Sequence, residues 1–172
     1  GYIIIYQRYT LSSTIMKKTV LGALALTLTA FHMQTANANI CMDIGGVAIP
    51  NFYAEGEGKP MIISATLIGS VQNAAGKILA QRTTETGLEM DMEHYFGRAD
   101  GGSISTKDLG VLTSIPGKPG RYMIEISYDL QQEQSRGTLN GYGGQFQSYG
   151  LVDLRDSNNL QGLVRYDGEI CK

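Results

Sequence analysis

The chain has two cysteines, Cys41 and Cys171, and their placement constrains its fold more than any other feature. They stand near the two ends of one long segment, 39–172, and the stretch before it makes them a pair. Met16-Lys17-Lys18 is a short basic start, residues 19–31 (TVLGALALTLTAF) are an apolar run, and Ala36-Asn37-Ala38 is a small-x-small exit. In that order they read as a cleavable secretory signal peptide over 16–38, with processing before Asn39. Residues 1–15 contain no methionine and are read as upstream sequence translated ahead of a true start at Met16. The apolar run is shorter than the roughly 20 residues of a membrane span. Asn39 and Ile40 stand between the exit and Cys41, which argues against a lipid anchor. The processed chain is therefore expected to be periplasmic or secreted and not membrane-spanning. In an oxidising compartment an even cysteine pair is read as a disulfide. Such a bridge needs the two Cα atoms within roughly 7 Å, so the first and last elements must meet.

Residues 39–172 number 134, enough for one domain with a real core. They carry 16 acidic and 11 basic residues and no basic patch, which excludes nucleic acid as an expected partner. His94 is their only histidine. With no CxxC spacing and His94 remote from both cysteines, no metal site and no cofactor is expected.

Apolar residues recur at every second position. Ile63, Ala65, Leu67 and Val71 alternate with Ser64, Thr66 and Ser70, and Val164, Tyr166 and Ile170 with Arg165, Asp167 and Glu169. The cleanest run is Tyr122, Ile124, Ile126, Tyr128 and Leu130 against Arg121, Glu125, Ser127 and Asp129. Period two describes sheets with one face on a core. Turn chemistry separates the runs at residues 55–58, 73–76, 100–102, 116–120, 140–141 and 156–159. Asn140-Gly141 suits a type I′ hairpin. About eight or nine strands follow, as an antiparallel barrel or a β-sandwich. A bridge between the ends favours a single barrel of about eight strands.

The segment from Asp100 reads DGGSISTKDLGVLTSIPGKPGRYMIEISYDL, then SRGTLNGYGGQFQSYGLVDL, then LQGLVRYDGEIC. This order resembles the β-barrels of the allene oxide cyclase and dirigent-like group, in which a Gly-rich strand pair and a small-residue run close the barrel. Gly137-Thr138-Leu139-Asn140-Gly141 and Gly143-Gly144-Gln145-Phe146 occupy the comparable place. No catalytic residue of the plant cyclases carries over, because none matches position by position.

Two polar clusters invite chemistry. In 89–96 (EMDMEHYF), Glu89, Asp91, Glu93 and Tyr95 share one strand face, and Met90, Met92, His94 and Phe96 the other. Asp91 and Glu93 could bind a cation or act as acid and base; the alternative is a solvated acidic face with His94 packed among methionines. Asp100, Ser103, Ser105 and Asp108 could hold Ca²⁺, but the spacing of an EF-hand is absent and a plain turn and strand start suffices. Three readings of function remain. The first is a barrel binding an apolar or amphipathic small molecule, lined by Met92, His94, Tyr122, Ile124, Tyr128 and Tyr166. The second is a cyclase- or isomerase-like enzyme using an inward polar group, with Glu125, Arg165, Glu169 and His94 as candidates. The third is a self-assembling structural subunit, so an oligomer is possible.

Overall fold

The computed structural model describes residues 39–172; the signal peptide expected over 16–38 and the segment before it lie outside the described residues. Eight strands follow one another as β1 (Cys41–Ala54), β2 (Met61–Gly69), β3 (Asn73–Thr83), β4 (Gly87–Gly97), β5 (Ser103–Ser114), β6 (Arg121–Leu130), β7 (Gly143–Asp153) and β8 (Gln161–Cys171). Each pairs antiparallel with its sequence neighbours, and β1 pairs with β8, so the sheet closes into a barrel. Of the two architectures left open by the alternation, the barrel is the one formed.

Cys41 and Cys171 face each other in the β1–β8 register, with Cα atoms 4.1 Å apart, and are disulfide-bonded. Beside them, Ile40 and Lys172 exchange backbone hydrogen bonds of 2.9 and 3.0 Å. The bridge therefore pins the last rung of the closing seam.

Alternation along each strand sends one set of side chains inward. Ile44, Ile63, Leu67, Met90, Met92, Phe96, Leu112, Ile124, Tyr128, Phe146, Val164 and Ile170 all belong to one buried cluster. An eight-stranded barrel is just wide enough for side chains to fill it or to admit one small ligand. Local fit decides which. Gly76 of β3 lies under the His94 ring, where an added Cβ would sit 2.8 Å from the ring's Cγ. Gly110 of β5 leaves room for the methyl group of Met92, 2.6 Å from the same hypothetical atom.

The two ends differ. At the disulfide end, the β6–β7 connection folds back over the barrel through two 3₁₀ turns, Gln132–Gln134 and Gly137–Leu139. Leu139 and Tyr142 join the buried cluster, and the buried Ser135 hydroxyl donates to the Tyr142 carbonyl at 2.8 Å. The opposite end carries only four loops, at 55–60, 84–86, 115–120 and 154–160.

Two turn expectations are corrected. Residues 73–76 form no turn; they open β3, with Ala74 buried inside, and the chain reverses at residues 70–72 instead. Gly76 signals a close approach by His94 rather than a reversal. Asn140-Gly141 is not a type I′ hairpin. Asn140 has φ −57° and ψ 131°, and Gly141 has φ 82°. With the Tyr142 N–H donating to the Leu139 carbonyl at 3.1 Å, this is a type II turn inside a long connection.

Candidate functional site

Below the open end lies an apolar mouth of about 90 Å³, ringed by Met61, Leu88, Leu112, Leu154 and Leu160. Beneath it is a chamber of about 40 Å³. Phe52, Met90, Ile124 and Val152 wall both. Together these spaces approach the ~150 Å³ apolar void that holds a benzene-sized guest. They fall well short of the ~300 Å³ and upward of a drug-sized pocket.

One titratable pair breaks the apolar wall. His94 of β4 lines the chamber, and its Nδ1 lies 2.6 Å from Oδ2 of Asp108 on β5. The side chains are 6% and 0% exposed. An ionised carboxylate only accepts, so Nδ1 carries the hydrogen and Nε2 is the nitrogen left to meet a guest. Asp108 Oδ1 and Thr106 Oγ1 are buried on the same inward face of β5 and lack hydrogen-bond partners. Taking a carboxylate out of water costs several kcal/mol, and a paired histidine does not fully recover it. An apolar pair would fill this place at least as well, which marks the His94–Asp108 pair as a candidate for chemistry rather than for stability.

Aromatic rings form the floor. Tyr128 stacks on Phe146 at 4.4 Å between centroids, and His94 lies 5.6 Å from both Phe96 and Tyr128. The Tyr128 hydroxyl and Ser148 Oγ share a 3.0 Å hydrogen bond. Burial holds the Tyr128 phenol well above its ordinary range, the Asp108 charge adds to this, and the Ser148 bond opposes it. Tyr128 is thus a neutral hydrogen-bonding group. The direction of the shift has a consequence for stability. The contribution is fully present below the unfolded phenol's pKa near 10 and is lost as pH rises beyond it. Urea denaturation above pH 10 should show stability falling, and Tyr128→Phe should make that fall shallower than in the wild type. An equal slope in both proteins would show that burial of this phenol does not govern the alkaline limb.

Of the candidates for lining, Met92, His94, Ile124 and Tyr128 do wall the chamber. Tyr122 is inward but only half-buried near the open end, and Tyr166 lies deeper. The Tyr166 hydroxyl reaches the backbone of Val71 at 3.4 Å and covers the facing glycines Gly46 and Gly69, where any Cβ would strike it. The inward-polar candidates are corrected. Glu125, Arg165 and Glu169 all lie on the exposed faces of β6 and β8. Their neighbours Ile124, Val164 and Ile170 take the inward positions, and period two allows only one parity inside.

The acidic face of β4 is neutralised by cations on β3. Arg82 bonds Glu89 at 2.8 Å and Asp91 at 2.7 Å, and Lys77 bonds Glu93 at 2.9 Å. The Arg82 hydrogen bond lowers the Asp91 pKa. Asp100, Ser103, Ser105 and Asp108, set aside as a Ca²⁺ cluster on their spacing, do not converge. Asp100 accepts from the Gly102 N–H and the Thr138 hydroxyl and pairs with Arg98, while Asp108 turns into the barrel. Among the described residues, the one group of potential metal ligands is Cys41, Glu169 and Cys171, whose sulfurs are already bonded to each other. The residue that sequence reasoning missed as a partner for His94 is Asp108.

No protein-family model matches this chain, and no curated protein matches it either.

Proposed function

We propose that this chain is an exported barrel that takes a small, mostly apolar molecule carrying one hydrogen-bonding group. The guest enters between the loops of the open end and rests against His94. One observation carries this reading: two adjoining apolar spaces of about 90 and 40 Å³, the inner one with a single imidazole, oriented by a buried carboxylate, in its wall. Export is supported by the leader-like segment 16–38 and by the disulfide. Among the described residues no helix is long and apolar enough to cross a membrane. The barrel's outer face carries charges at mid-height, including Lys77, Glu93, Lys107, Glu125 and Arg165, unlike the apolar band of a membrane barrel.

Native mass spectrometry of the chain recovered from a periplasmic extract without refolding tests the resident guest. The expected spectrum shows one added small organic mass that leaves on denaturation. A bare mass, two hydrogens below the reduced chain, would contradict a resident guest.

The His94–Asp108 geometry also favours a second reading, proton transfer on the bound guest with Nε2 as the base. This is the cyclase- or isomerase-like alternative, and the likeness of residues 100–171 to the allene oxide cyclase and dirigent-like barrels is in keeping with it. Asp108→Asn separates the two. Under this reading the variant still holds the guest but releases it chemically unaltered, whereas under binding alone wild type and variant release the same compound.

A further inference from the structure

The outer surface of β6, β7 and β8 carries an apolar row across the strands. Met123 is in register with Leu151, and Leu151 with Leu163. They are 54%, 56% and 57% exposed. The next outward row is Glu125, Tyr149 and Arg165, again in register. Glu125 and Arg165 take no part in an ion pair among the described residues. They stand two strands apart, roughly 10 Å, too far to reach each other across Tyr149.

We propose that this face is the contact of a two-fold homodimer whose axis runs along β7. Rotation about that axis keeps each residue's height and exchanges β6 with β8. Leu151 then meets Leu151 of the second copy, and Met123 meets Leu163. Glu125 meets Arg165 twice, once on each side of the paired tyrosines. The charge pattern selects a second copy as occupant. An apolar partner would leave both charges desolvated without counter-charges, whereas the rotated face supplies each with its opposite. Aligned sheets pack about 10 Å apart, a spacing these side chains can fill. Barrel curvature limits the contact to about three strands, which puts it at the small end of specific interfaces. The dimer is therefore weak, forming in the micromolar range and loosening with salt.

Sedimentation velocity of the full chain as exported, from low micromolar to millimolar concentration, tests this with three variants. Leu151→Asp places two carboxylates face to face on the axis. Glu125→Arg and Arg165→Glu each create like-charge contacts. Each is expected to weaken self-association at least tenfold while circular dichroism retains the barrel signature. Mixing the two charge variants should restore association to near wild type, because every contact in the mixed dimer is again opposite in sign. Wild type that stays monomeric throughout would overturn the proposal, as would a dimer indifferent to Leu151→Asp, or a mixture that associates no better than its components. Should Leu151→Asp fail to fold, the mixing experiment decides alone.

Discussion

Replacing Cys41 and Cys171 together by serine should lower unfolding free energy by about 5 kcal/mol while leaving the barrel intact. The cysteines are 130 residues apart in sequence, and closing a loop of that length costs about 5 kcal/mol in the chain-entropy model. In the native state the bond adds little that β1 and β8 lack, since their register runs from the cysteines as far as Asn51 and Gln161. Its effect falls on the unfolded chain, where it keeps the two seam strands together. A domain's total stability is about 5–15 kcal/mol, so this is a large share. Urea denaturation of the wild type and the double serine variant measures the difference. A loss under about 1 kcal/mol would show that the unfolded ends stay close without the bond.

The second large effect concerns His94 and Asp108, and it is asymmetric. His94→Leu leaves a fully buried carboxylate with neither oxygen partnered, since Oδ1 has no partner already. Breaking a buried pair in this way costs about 3–5 kcal/mol. Asp108→Leu leaves only an imidazole without its hydrogen-bond partner, for which about 1–3 kcal/mol is expected. Replacing both by leucine should return stability close to the wild type or above it, because the polar pair is itself expensive to bury. The four proteins form a double-mutant cycle, and the coupling energy should be at least about 2 kcal/mol. A double variant as unstable as His94→Leu alone would mean that lost packing, not an orphaned charge, sets the cost.

Much of the barrel is legible in the sequence, because period two survives on β6 and β8 and the cysteines fix the seam. What alternation cannot give is direction. Tyr128 and Glu125 have opposite parity on β6, and so do Tyr166 and Arg165 on β8, so only one of each pair could be inside. Packing against neighbouring strands chose the aromatics. Asp108 was hidden for a related reason. On β5 the inward set is Ile104, Thr106, Asp108, Gly110 and Leu112, and the outward set includes Leu109 and Val111. Hydrophobicity is therefore mixed on both faces, and the run could be taken for a turn with acidic ligands. Gly76 misled in the same way, since a glycine that admits a ring looks like one that reverses a chain. The candidate site is half visible in the sequence: His94 stands out as the lone histidine of residues 39–172, whereas its carboxylate partner lies 14 residues on and meets it only through the pairing of β4 with β5.

The most direct test of the binding site compares phenol with benzene by following the methyl resonances of Met92 and Ile124. The two adjoining spaces together approach the size either guest needs, and only phenol can hydrogen-bond to His94. Phenol should bind at least about tenfold more tightly than benzene, and the His94→Leu/Asp108→Leu chain should lose that preference while still admitting both. Equal affinity of the wild type for the two, or chamber methyls unmoved by either at millimolar concentration, would contradict a His94-anchored guest.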